Sequence, residues 1–309
     1  MPIRVQNNLP ARAVLEGENI FVMDEDRAVS QDIRALEIII LNIMPLKEDT
    51  EVAILRSLSN SPLQTNITLL QIESHVSKNT SASHLNMFYK TFSEIKDKKY
   101  DGMIITGAPV EKLKFEEVDY WEELKTIMEW TNTHVTSTLH LCWGAQAGLY
   151  YHYGIGKHLL KKKVFGIYEH KVLNRKVPLV RGFDDVFLAP HSRYTAVSRQ
   201  EIEENENLMI LAESDEAGIY LVIDKTDRRV FILGHPEYDR LTLDKEYRRD
   251  VDKGLDDVDL PKNYYPNDDP SNKPLLSWRC HANTIYSNWL NYYVYQNTPY
   301  ELDAIGKEQ

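Results

Sequence analysis

The chain has 309 residues, 42% hydrophobic and 27% charged, with 13 glycines and 13 prolines; this is the mixture of a globular chain of one large or two small domains, not of a collagen-like or low-complexity one. Lys and Arg number 36 against 47 Asp and Glu, a formal net charge of −11, which argues against general nucleic-acid binding through a basic face. Two cysteines, Cys142 and Cys280, are too few for a disulfide framework, the N-terminal Met1-Pro2-Ile3-Arg4-Val5 has no apolar stretch behind a basic start, and no apolar run nears the roughly 18 to 20 residues that cross a bilayer, so a cytoplasmic protein without membrane attachment is expected.

Residues 1–34 are polar and read as an irregular N-terminal arm that packs on the body or on a partner subunit, with one apolar patch at Ile20-Phe21-Val22-Met23. The nearly continuous β-branched run over 36–41 predicts a strand buried on both faces. Val52, Ile54, Leu55 and Leu58 predict a helix over 48–58, and residues 67–72 a second strand. A surface loop over 73–83, a helix over 85–95, a strand over 103–106, a helix over 118–130, a strand over 135–141 and a helix from Trp143 follow. Strands and helices alternating in this way predict βαβ crossovers and a mostly parallel sheet covered by helices on both faces.

After residue 160 the pattern becomes β-rich, with strands over 164–172, 185–188, 208–212, 219–223 and 230–233, the last two joined by a turn at Thr226-Asp227-Arg228. A helix over 242–253, a Pro/Asn/Asp-rich loop over 263–273 and a final aromatic helix over 277–295 complete the chain. No flexible linker divides it, so a single α/β domain over 35–300 is expected, between the arm 1–34 and a short tail 301–309. The arm and the aromatic helix suggest a subunit interface and hence a homodimer.

Two places carry chemistry. In His140-Leu141-Cys142-Trp143-Gly144, a strand ends and a helix begins, so Cys142 sits at a strand-to-helix turn with helix N-terminal amides beside its sulfur. By residue type alone Cys142 reads rather as a small buried hydrophobe, and the strand-to-helix context brings the two readings level. Gly234-His235-Pro236-Glu237 follows the strand over 230–233, at the sheet edge where such folds bind ligands. His235 is a candidate base for Cys142, and Glu237, two residues on, is placed to orient its imidazole. The ten histidines are scattered and no cluster has metal-ligand spacing.

These residues resemble the class I glutamine amidotransferase-like, flavodoxin-like fold, and more closely the homoserine O-acyltransferases of the MetA type. The resemblance runs in order from the first residue to about residue 300. It includes Leu41-Asn42-Ile43-Met44-Pro45, Ile105-Thr106-Gly107-Ala108-Pro109, Arg181-Gly182-Phe183-Asp184-Asp185, Ala189-Pro190-His191-Ser192-Arg193-Tyr194 and Gly234-His235-Pro236-Glu237-Tyr238-Asp239. Against the amidotransferase elbow Gly-x-Cys-x-Gly, the chain departs at His140, which favours the acyltransferase branch over glutamine hydrolysis.

The resemblance implies acyl transfer from an acyl-CoA to the hydroxyl of L-homoserine through an acyl-cysteine, with acetyl-CoA as substrate and no cofactor or metal. It implies Cys142, His235 and Glu237 as the triad, and Lys163, Ser192 and Arg249 as substrate-binding residues. The oxyanion is assigned to the amides of Trp143 and Ala108. Glu111 matches the position where glutamate accompanies acetyl transfer and glycine succinyl transfer, so homoserine O-acetyltransferase is expected, with O-succinyltransferase and then glutamine amidotransferase as alternatives. A non-catalytic module of the same fold is disfavoured by the complete triad. Roles for Lys47 and His191 stay open, and Cys280 reads as packing within the aromatic helix.

Overall fold

The computed structural model describes residues 3–6, 8–18, 22–23, 34–75, 77, 79–254, 258–299 and 302–306. Strands β1 (Ile3–Arg4), β2 (Val22–Met23), β3 (Leu36–Leu41), β4 (Thr65–Leu70), β6 (Tyr100–Ile105), β7 (Val135–Leu141) and β12 (Arg229–Ile232) form the parallel part of one twelve-stranded sheet, and β5 (Tyr89–Lys90) joins parallel to the end of β4. The sheet continues antiparallel through β11 (Gly218–Asp224), β10 (Leu208–Ser214), β8 (Lys157–Val172) and β9 (Val186–Val197).

The alternation of side chains along β3 builds both halves of the core. Leu36, Ile38 and Ile40 face α2 (Lys47–Leu58) with its Ile54, Leu55 and Leu58, beside α1 (Pro10–Gly17) and α9 (Arg279–Asn288). Ile39 and Leu41 face the opposite layer, where Leu124, Ile127 and Met128 of α5 (Trp121–His134) pack. Near-continuous apolar strands are required here because helices cover both faces.

The described part of the N-terminal arm packs on the body and is not irregular. β1 pairs with β4, β2 pairs with β1, and α1 buries Ala11 and Leu15 in the main core, so the described part of 1–34 belongs to the domain. Two-residue strands carry no readable periodicity, and α1 shows only one buried pair at a spacing of four. Ile20 and Phe21 of the apolar patch lie outside the described residues, as do 300–301 and 307–309 of the C-terminal end. The helix expected over 85–95 is broken into α3 (Ala82–Phe88) and α4 (Phe92–Ile95) by β5, where Tyr89 pairs with Leu69. A short α7 (Arg199–Glu204), capped by the Ser198 hydroxyl, was not expected. The aromatic helix is α only to Asn288 and continues as a π-helix over Trp289–Tyr295. Its Tyr286, Trp289 and Tyr293 are buried in this chain's own core, whereas Cys280 is exposed, not packed: it falls on the solvent side of the first turn of α9.

Two features of the β-rich half shape the site. β8 and β9 form a long hairpin whose register jumps between Leu159 and Val164, opposite Thr195 and Arg193. The bulge carries Lys161, Lys162 and Lys163 out of the ladder. β7 and β12 are parallel neighbours with Leu141 opposite Ile232, so the segments that follow both strands emerge side by side.

Candidate active site

Cys142 lies between β7 and α6 (Trp143–Tyr153) with φ 49 and ψ −115. A positive φ is costly for a residue with a Cβ, and it persists here because both neighbours of Cys142 are held. The Cys142 amide donates to Ile232 O at 2.7 Å, and the Cys142 carbonyl accepts from the amides of Ala145 and Gln146 at 3.0 and 3.1 Å. The turn is tight enough that a Cβ on Gly144 would lie 2.4 Å from Thr106 O, and one on Gly107 would meet the Cys142 Cβ at 3.3 Å. Among the described residues, neither the Trp143 amide nor the Ala108 amide has a hydrogen-bond acceptor, although both residues are buried. Buried amides at a helix start and a neighbouring loop are the donors that a developing oxyanion needs.

His235 is buried, hydrogen-bonded to the Cys142 side chain, with its Nδ1 2.8 Å from Glu237 Oε1. Burial alone would depress its pKa; the Cys142 sulfur and the Glu237 carboxylate outweigh that and hold it well above the usual value. The Tyr238 ring stacks on the imidazole at 4.1 Å between centroids, fixing its plane. His140 is a buried packing residue whose pKa is pushed down to about 3 by burial and by Arg229, so it stays neutral beneath the elbow.

The three residues matched to substrate binding meet around two carboxylates of α8 (Thr242–Asp252). Ser192 Oγ donates to Glu246 Oε2 at 2.5 Å, and Tyr238 OH donates to Glu246 Oε1 at 2.7 Å. Lys163 Nζ lies 3.5 Å from Asp250 Oδ2 and 3.7 Å from Glu246 Oε2. Arg249, half exposed, places Nε and Nη2 on Asp250 Oδ1 at 2.8 and 2.7 Å. Sequence reasoning missed Glu246 and Asp250. The signal was available in the helical spacing, since Glu246 is three residues before Arg249 and so lies on a neighbouring part of the same face.

Glu111 is not a free loop acid. Its Oε2 accepts from the Tyr194 amide at 2.8 Å and from Thr195 Oγ1 at 3.3 Å, which ties the loop after β6 to the β8–β9 hairpin. Behind it, Thr195 Oγ1 bonds Gln146 Oε1 at 2.9 Å, and the buried Arg193 donates to Thr195 O at 2.7 Å.

The two open residues separate. Both ring nitrogens of His191 are engaged, Nε2 with His170 Nε2 at 2.9 Å and Nδ1 with Arg193 Nε at 3.4 Å, so it belongs to a buried network behind His235. Burial and Arg193 hold it well below the usual histidine value. Lys47 is buried at the start of α2 with its ammonium on Asn42 O, and burial lowers its pKa to about 8. It lines a cavity of about 180 Å³ with Pro109, Val110 and Tyr120. Among the described residues no group of acidic, His and Cys side chains has metal-binding geometry, and no helix is long and apolar enough to cross a membrane.

The His235 arrangement predicts a pH response. Because its folded pKa is raised, protonated His235 stabilises the fold fully below pH about 6.5 and loses that contribution as pH rises through the folded value. NMR titration of the imidazole is expected to show protonation persisting above the usual range, and Glu237→Gln to move the titration to lower pH. An unmoved titration would mean that Glu237 does not act on His235.

A family model described as homoserine O-succinyltransferase matches residues 2–300. A protein of Lachnospira eligens named homoserine O-acetyltransferase is 69% identical over 98% of this chain and 97% of its own. Proteins of Lachnoclostridium phytofermentans and Bacillus cereus with the same name are 67% and 59% identical, each over 98% of this chain and 100% of theirs. Among solved structures, glutamine amidotransferases of Thermotoga maritima and Methylobacillus flagellatus superpose with TM-scores of 0.56 and 0.52, each at 10% identity over 84% of this chain and over 98% and 95% of theirs. That likeness identifies the fold as class I glutamine amidotransferase-like, and the family match and the full-length relatives identify the chain as a member of the homoserine O-succinyltransferase family.

Proposed function

We propose that the chain is a homoserine O-acetyltransferase that transfers the acetyl group of acetyl-CoA to the hydroxyl of L-homoserine, giving O-acetyl-L-homoserine and CoA. The observation that carries the reading is the Cys142 elbow with His235 and Glu237 at one sheet edge, in a chain 69% identical to a protein of that name. Homoserine as acceptor follows from the family.

In the proposed mechanism Cys142 Sγ, its proton held by His235, attacks the thioester carbonyl. The oxyanion is received by the Trp143 and Ala108 amides. The bond to the CoA sulfur breaks and CoA leaves with the proton from His235. Homoserine then binds, and its hydroxyl gives its proton to His235 as its oxygen attacks the acetyl-cysteine. The bond to Cys142 breaks and the thiolate–imidazolium pair is restored. Arg249 retains Nη1 for the homoserine carboxylate, and Glu246 offers a carboxylate to its ammonium. The acyl group arrives activated, so the reading needs no resident cofactor. A thiol nucleophile is consistent with a reducing cytoplasm.

Succinyl transfer is the second reading, favoured by the description of the family model. Glu111 weighs against it. Its carboxylate is held on the Tyr194 amide in the loop that follows β6. A second carboxylate about 4 Å away would be repelled by about 4 kcal/mol at an intermediate effective dielectric.

Incubation with acetyl-CoA alone is expected to leave one hydroxylamine-sensitive acetyl group on the wild type and none on Cys142→Ala. Sequential kinetics with no trappable acyl-enzyme would overturn the covalent mechanism. The wild type is expected to prefer acetyl-CoA and Glu111→Gly to shift preference towards succinyl-CoA; a wild type faster with succinyl-CoA would reverse the donor assignment. The homodimer is proposed too, although the aromatic helix that suggested it packs inside its own chain. Light scattering decides it, with a mass of two chains supporting the dimer and a mass of one excluding it.

A further inference from the structure

A cavity of about 800 Å³ is lined by Arg56 of α2, Arg240, Lys273 and Arg279 of α9, with Glu18 and Asp239 as its acids. In a chain of net charge −11, four cations around one cavity is a departure that calls for a cause. The two acids offset only part of it. Glu18 is taken by Arg56 in a two-pronged ion pair. Asp239 accepts from the Leu241 amide at 2.7 Å and from Thr242 Oγ1 at 3.2 Å, as the turn into α8. Arg240 reaches only a carbonyl, Pro274 O, at 2.8 Å.

Arg279 stands out. Its guanidinium is half-buried and makes no hydrogen bond or ion pair with any described residue. Burial lowers its pKa most and the like charge of Arg56 next; Glu18 and Asp239 pull it back, and Arg240 adds the smallest downward push. Partly desolvated like charges repel, and an anion between them removes both the repulsion and the unmet donors.

We propose that this cavity is a binding site for a phosphate-bearing, multiply charged anion of nucleotide size. The volume lies within the range of small-molecule sites and is far larger than a single carboxylate requires. The guanidiniums of Arg240 and Arg279, from two separate segments, supply the flat paired donors that phosphate oxygens accept, with Lys273 beside them. The site also touches the catalytic segment: Arg240 is three residues after Glu237, and Trp278, next to Arg279, donates its Nε1–H to Tyr238 O at 2.9 Å. The phosphate has two sources, the adenosine 3′,5′-bisphosphate end of the acyl-CoA, which rests on the function proposed above, or a free anion.

Calorimetry with adenosine 3′,5′-bisphosphate and with inorganic phosphate tests the site without turnover, so its result is separate from that of the proposed reaction. The wild type is expected to bind at least one probe, and Arg240→Gln/Arg279→Gln to weaken it by roughly tenfold or more, the loss that charge-assisted contacts carry. Lys273→Gln, at an exposed position, gives a smaller loss in the same direction without risk to the fold. If the donor's nucleotide is the occupant, the double variant raises KM for acetyl-CoA and leaves transfer from the acetyl thioester of N-acetylcysteamine unchanged. If a free anion is the occupant, KM for acetyl-CoA stays the same while probe binding falls. A wild type that binds neither probe, or variants that bind as tightly as wild type, would overturn the proposal.

Discussion

The site depends on one constraint, the backbone of Cys142 held at φ 49 between a buried strand and a helix. Nothing local to a cysteine favours that conformation; it is maintained from outside. Ile232 O fixes the Cys142 amide from the neighbouring strand, α6 draws on its carbonyl, and the loop after β6 presses so close that Gly144 has no room for a side chain and Gly107 little. The pairing of β7 with β12 then does two things at once. It pins Cys142, and it delivers His235 from the adjacent strand end, three residues beyond Ile232. The strained turn and the nearness of the base are consequences of the same parallel register.

The other half of the site comes from the antiparallel extension. The bulge in β8 turns Lys163 out towards α8, β9 carries Ser192, and Glu246 joins both to Tyr238, whose ring covers His235. Lys163, Ser192 and the His235 imidazole are thus linked through a single carboxylate and the ring of Tyr238. Glu111 crosses between the two halves, from the loop after β6 to the backbone of β9. Under the proposed function, the residue assigned to the donor is therefore joined by direct hydrogen bonds to the strand that carries Ser192, assigned to the acceptor.

Much of this was legible in the chain. The strand over 135–141 and the helix start at Trp143 coincide with the structure, because a buried apolar run followed by a glycine-containing turn leaves few alternatives. Pairing Cys142 with His235 needed only the rule that ligands sit at strand C-termini. What escaped was set by distant packing. Glu246 reads as an ordinary helix-surface acid until Ser192 and Tyr238 are brought onto it. The His170–His191–Arg193 network depends on the β8–β9 register, which a bulge makes unreadable. The N-terminal strands are two residues long and gain their place only from the exposed edge of β4.

The central claim is that this edge forms a covalent acyl-cysteine before the acceptor takes part. Exchange of isotopically labelled CoA into acetyl-CoA, in the absence of homoserine, tests it most directly, since it needs only the reversible first half-reaction. The account predicts exchange in the wild type and none in Cys142→Ala. Exchange that begins only when homoserine is added would contradict it.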